Sequence, residues 1–199
     1  LPTCKKVIIY PGYIITFLPK RYINQIMSPN YNYFKYLKEE LNYLENQCIE
    51  SCIPAKIPKN NKELIELLND TNTMVVIPTI EGAAAFVNGN AQNIRNGEIK
   101  YADIENNVKT IKKESNVFFV TLSHHFYNSL IGHAQSVYGS NRIAIDQMYG
   151  KGNIISSDGQ KLIELLLSIN TYKNSGRRIL IDIKHLSLAA RIEYCKMIT

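Results

Sequence analysis

A chain of 199 residues with 45% hydrophobic content can bury a full core and is expected to form one domain over residues 1–199, which excludes disordered and fibrous classes. The formal charge of +6 comes from isolated basic pairs, Lys5-Lys6, Lys112-Lys113 and Arg177-Arg178, rather than from a stripe, so a solvated surface is favoured over a nucleic-acid partner. No apolar run approaches the roughly 20 residues of a membrane span, and LIELLLSI at 162–169 is too short, so the chain is expected to be soluble, in the cytoplasm or a periplasm.

In chain order, KKVIIY (5–10) reads as a first strand broken by Pro11-Gly12. From Tyr31 to Gln47 the apolar positions Tyr33, Phe34, Leu37, Leu41 and Leu44 recur by three and four, which predicts an amphipathic helix. Residues 52–57 read as a short strand that Pro54 and Pro58 confine to an edge or a loop. KELIELLND follows as a helix capped by Asn60 or Asn61. The unbroken apolar run MVVIPTI (74–80) fits a strand buried on both faces. Residues 88–101, rich in Asn and Gly, read as a loop before the helix ADIENNVKTIKKE and the strand VFFVTLS. Tyr127 to Gly152 is irregular and reads as a long loop of the kind that shapes a site. Ser156 or Ser157 caps a helix through KLIELLLSINTY, ILIDIK (179–184) is the next strand, and Ser187 caps the final helix LAARIEYCKMI. Repeated βα alternation implies a parallel sheet with right-handed crossovers. The cysteines, including the C-x3-C pair Cys48 and Cys52, match no zinc or redox spacing and are expected to be reduced.

Three of these apolar runs end on a residue able to bind metal or move a proton: Glu81, His124 and His185. Strand ends converge on one rim in α/β proteins, so this recurrence predicts a Glu/His/His site there. Nucleotide-binding glycine motifs, H-E-x-x-H and the G-x-S-x-G elbow are all absent.

The strand ends carry a resemblance. Ile80-Glu81-Gly82, followed by Ala83 to Phe86, resembles the "EGG" segment of the membrane (renal-type) dipeptidases, a branch of the metal-dependent amidohydrolases. Thr121-Leu122-Ser123-His124 resembles their "TLTH" segment. Ser157-Asp158-Gly159, Asn170, Gly176 and Asp182-Ile183-Lys184-His185-Leu186-Ser187 are similar to their "LTxxG…N…G…DLSH.S" stretch. The three segments keep the family's order and cover about residues 64–199.

The resemblance implies an α/β fold, part of a TIM-type (β/α)8 barrel, with two zinc ions at its carboxyl rim. It implies Glu81 as the carboxylate bridging both metals and His185 as a ligand of one. His124 is implied as the catalytic group beside the substrate carbonyl, stabilising the oxyanion. The expected function is a metal-dependent hydrolase of the dipeptidase-like class, cleaving a peptide or related amide bond with a metal-bound hydroxide. The alternative is a non-catalytic barrel relative serving as a binding or structural module. A small peptide or amide substrate is the expected partner, with a homodimer as an open possibility.

This sequence departs from the family's pattern in places. No H-x-D pair occurs on the first strand, the later His and Asp ligands are absent, Ala83 replaces the second glycine of "EGG", and Lys184 replaces the Ser of "DLSH". The chain opens on Leu1 and stops directly after a helical pattern, and four or five strands are too few for a barrel that usually takes about 250 residues, so it is expected to be a portion of a longer barrel. One bridging carboxylate and one imidazole fall short of about four zinc ligands, so this chain alone is compatible with binding no ion.

Each residue also has a plainer reading. Glu81 would be a carboxylate capping the next segment, His185 a helix-start histidine, and the His124-His125 pair backbone hydrogen-bonding groups. His125 and His133 match no family position; His133, in GHAQS, is the weaker candidate for lining a substrate pocket. Asp146 reads as a loop carboxylate, Asp182 as a strand residue facing the helices, and Lys184, by strand alternation, as pointing outward.

Overall fold

The computed structural model describes residues 28–124, 127–135, 147–169 and 177–199, and the backbone alone of residues 7–9 and 14–16. His125, Asp146, Asn170 and Gly176 lie outside the described residues.

The expected first strand is one arm of a short hairpin: β1 (Val7–Ile9) pairs antiparallel with β2 (Ile14–Thr16), Ile8 opposite Ile15. Pro11-Gly12, which ends the apolar run in sequence, falls between the two arms. That pairing departs from the parallel pattern implied by βα alternation.

Helix α1 (Tyr33–Glu50) begins at Asn32, whose side chain accepts from the Lys35 amide at 2.9 Å. Its next free amides are also used, Tyr33 N–H donating to Gly89 O at 3.0 Å and Phe34 N–H to Val87 O at 3.1 Å. These bonds fix the start of α1 beside the segment that carries Glu81. Strand β3 (Ala55–Lys56) and helix α2 (Asn61–Leu68) follow, with Asn60 as the α2 cap. The long apolar run is two pieces, β4 (Met74–Val75) and β5 (Thr79–Glu81), because Pro78 supplies no amide to a ladder.

A 3-10 turn (Ala83–Phe86) succeeds β5. Within the segment expected to be loop lies a short helix, α3 (Ala91–Arg95), set by reciprocal bonds between Asn90 and Asn93 that form a capping box. Then come α4 (Tyr101–Glu114), β6 (Phe119–Thr121), α5 (Ser157–Leu167), β7 (Leu180–Asp182) and α6 (Leu188–Ile198). Ser156 and Ser187 are the caps of α5 and α6. Strand β7 stops at Asp182 rather than at Lys184, since the Asp182 carboxylate accepts the Lys184 amide at 2.9 Å and turns the chain.

Pairing beyond the hairpin is parallel. β3 pairs with β4, and β5, β6 and β7 form a three-stranded sheet in chain order. Its core packs α4 and α5 against the sheet through Ile104, Val108, Ile111, Leu162, Ile163 and Leu166, each at most 2% exposed. Each such side chain contributes about 1.5–3 kcal/mol by leaving water. Among the described residues no helix is long and apolar enough to cross a membrane. Cys48, Cys52 and Cys195 are free thiols.

Candidate metal centre

Glu81, Thr121 and Asp182 stand in register as the last residues of β5, β6 and β7. Because successive strand residues alternate faces, this register puts all three on one face at the carboxyl edge. Each strand then hands on to a tightly held turn. After Glu81, Gly82 takes φ 101°, a conformation open to glycine at little cost, while its amide donates to Thr121 O at 2.8 Å. Ala83, which replaces the second glycine of the motif, sits buried in the 3-10 turn with no positive φ, so a methyl group is accommodated there.

After β6, buried Asn128 holds the chain around His124. Its Nδ2 donates to Leu122 O at 3.0 Å, and its Oδ1 accepts the amides of Leu130 and Ile131. After β7, His185 has φ 63°, a left-handed backbone that costs a residue with a Cβ roughly 1–2 kcal/mol. Its neighbourhood holds it there: His185 O accepts the Ala134 amide at 2.8 Å, and the Ser187 amide donates to Gly132 O at 3.0 Å. A strained backbone pinned by its surroundings is a mark of functional positions.

The three strand-end candidates meet. A ligand atom from each of Glu81, His124 and His185 lies within 4.8 Å of the other two. His124 Nε2 is 3.3 Å from Glu81 Oε1, and the two imidazole rings pack edge to face with centroids 5.1 Å apart. Donors about 2.1 Å from a tetrahedral zinc stand roughly 3.4 Å from each other, so the Glu81–His124 spacing of 3.3 Å suits an ion. The residue types fit as well, because one carboxylate with two imidazoles leaves a fourth position open.

Sequence reasoning missed two further groups. Asp182 does not face the helices: its Oδ2 accepts from Thr121 Oγ at 2.8 Å, on the face that carries Glu81. Burial works against its charged form, but the Lys184 amide, the Thr121 hydroxyl and the Lys184 ammonium together hold its pKa below the usual carboxylate value. Lys184 does not point away. Its Nζ is 3.3 Å from Glu81 Oε1 and 3.7 Å from Asp182 Oδ2. Alternation fails as a guide because Lys184 lies past the strand, in the turn. Asp182 carried no strand-end signal in sequence, because the apolar run continues to Lys184 while the strand stops at Asp182.

Beside the centre lies a cleft of about 330 Å³, lined among others by Tyr31, Tyr33, Tyr36, Glu81, His124 and Asn128. Tyr31 and Tyr36 stack at 4.4 Å and Tyr33 meets Tyr31 edge-on at 5.2 Å, so α1 and the residues before it form an aromatic wall. His133 is not part of this wall. It is fully buried, with Nε2 3.0 Å from Gln147 O, and its backbone bridges to Leu186 beside His185. Compared with known protein families and with curated proteins, the chain finds no match.

Proposed function

We propose that this chain carries the active rim of a metal-dependent hydrolase that cleaves a peptide or related amide bond, with Glu81, His124 and His185 as ligands of one divalent cation. Zinc is the ion that suits two imidazoles and a carboxylate with an open fourth position. The observation that carries this reading is the convergence of those three donors within 4.8 Å where three neighbouring parallel strands end. The likeness to the dipeptidase motifs supports the amide substrate class, and the parallel βα order is compatible with part of a (β/α)8 barrel. A cleft of this size takes a small ligand.

A bound divalent cation acidifies a water molecule and polarises a carbonyl. The chain's own residues hold and orient: Glu81 offers a carboxylate oxygen, His185 is fixed by its left-handed turn, and the tyrosines line one side of the cleft. His124 stands at ligand distance from Glu81 rather than apart from it, which favours a third ligand over a separate substrate contact.

The test is zinc titration of the full-length polypeptide after chelator stripping, followed by a dipeptide screen. Glu81→Gln is expected to weaken zinc binding at least tenfold and to abolish hydrolysis; unchanged affinity would sink the metal centre. For His124→Ala, lost metal identifies a ligand, whereas retained metal with slower turnover returns His124 to the oxyanion role implied by the resemblance. The non-catalytic alternative draws on one observation, that Lys184 already gives Glu81 a positive partner. It requires that the folded wild-type protein retain no metal and cleave no dipeptide.

A further inference from the structure

We propose that the cavity at the amino edge of the three-stranded sheet binds a small amphipathic carboxylate, with Lys59, Arg177 and Arg178 around its anionic head and an apolar wall against its body. The cavity measures about 340 Å³, a size that suits a small ligand. It lies where the strands begin: Pro78 and Phe118 directly precede β5 and β6, and Leu180 opens β7. Glu81, Thr121 and Asp182 end the same strands, so this site is separate from the candidate metal centre.

Charge sets the sign of the ligand. Lys59, Arg177 and Arg178 line the cavity and no Asp or Glu does, and among the described residues no carboxylate is ion-paired with any of the three. Glu63, four residues on from Lys59, is turned to the backbone instead, its carboxylate accepting the Lys59 amide at 2.8 Å. Arg177 is half-buried, yet its partners are all neutral. Its Nη1 donates to Lys59 O at 3.3 Å and its Nη2 to Ser115 O at 2.6 Å and Val117 O at 3.4 Å, while Nε is buried with no hydrogen-bond partner. Arg178 Nε donates to another carbonyl, Leu167 O, at 2.9 Å. A charge drawn partly out of water with no counter-ion is destabilised, and an anion beside it relieves that cost. The carbonyl bonds also hold the Arg177 guanidinium in place, so an incoming anion meets a positive group already fixed.

The wall sets the rest of the ligand. Leu64, Ile77, Phe118 and Leu180 line the cavity, and the last three are left 44%, 45% and 43% exposed. An aliphatic or aromatic body laid over them removes apolar surface from water on both sides. A hydrated inorganic anion would leave that wall bare, which favours a carboxylate on an apolar body over phosphate or sulfate.

The experiment uses octanoate as the probe, titrated calorimetrically into full-length protein stripped with a chelator, with octan-1-ol and acetate alongside. Wild type is expected to bind one equivalent of octanoate, at least tenfold more tightly than either comparison compound. Lys59→Gln/Arg178→Gln is expected to weaken octanoate at least tenfold and to leave octan-1-ol unchanged. Ile77→Glu, which places a resident carboxylate at a half-exposed position, serves as an independent variant and should lose octanoate too. Arg177 is left alone because its bonds join three segments of backbone, and circular dichroism verifies the fold of each variant. Glu81→Gln should bind octanoate as wild type does. No octanoate bound by folded wild type, octan-1-ol bound equally well, or undiminished affinity in both folded cavity variants overturns the proposal. Octanoate lost in folded Glu81→Gln overturns it as well, by placing the carboxylate at the other end of the strands.

Discussion

Gly82 and His185 both use left-handed backbone at the rim, but they bear it differently. At Gly82 an added Cβ would meet its nearest neighbour, His124 Cβ, at 3.7 Å, an ordinary contact, so the obstacle to any other residue is φ 101° and not space. Gly82→Ala is expected to cost about 1–2 kcal/mol and to turn Glu81 away from His124. Denaturant melts and zinc titration check both effects, and a variant with unchanged zinc affinity would show that the turn does not aim Glu81. At this scale the sequence was informative where a reactive side chain closed an apolar run, as at Glu81, His124 and His185. It misled at Lys184 and Asp182, because the strand was read two residues too long and face assignments made by alternation do not survive past a strand's end.

The helices are joined by a contact that no periodicity reveals. Lys112, on the α4 face turned to α5, is buried, and its ammonium donates to Leu165 O at 2.6 Å, Ser168 O at 2.9 Å and Ser168 Oγ at 3.1 Å. It thereby serves the carbonyls left open at the α5 carboxyl end. Burial, aided by Arg178, depresses its pKa from 10.5 to about 8. Between those values the unfolded chain binds the proton more tightly, so this group's contribution to stability rises as pH climbs from about 8 to 10.5 and is lost as pH falls back through 8. Thermal melts of wild type and Lys112→Met at pH 7 and pH 10 check this: wild type should gain on the variant at the higher pH, and a constant gap would count against the shift. Lys112 reads in sequence as half of a solvated basic pair, since nothing local says which face meets another helix. Caps are different. Asn60, Ser156 and Ser187 were readable because a cap bonds within its own first turn. α3 escaped notice because its Asn90/Asn93 box lies in a stretch whose composition signals loop.

On the scale of the molecule, the alternation of strands and helices made parallel pairing legible, and β3 with β4 and β5 through β7 follow it. The antiparallel β1–β2 pair did not follow, since alternation says nothing about two strands without a helix between them. The register that aligns Glu81, Thr121 and Asp182 was beyond sequence reasoning too, because it is fixed by contacts between segments far apart in the chain. The same parallel order carries a kinetic consequence. Each pairing closes a longer stretch of chain than the one before, from Ala55 with Met74 to Ile80 with Val120 and then Val120 with Ile181. Closure entropy grows with that length, so the pairings of the two parallel sheets should form in chain order, with β7 docking last. His185 arrives with β7, and the proposed ligand set is incomplete until it does. In a stopped-flow refolding experiment with a zinc-sensitive dye, metal uptake should therefore coincide with the slowest folding phase, and uptake that precedes it would mean that Glu81 and His124 capture the ion before the final strand is in place.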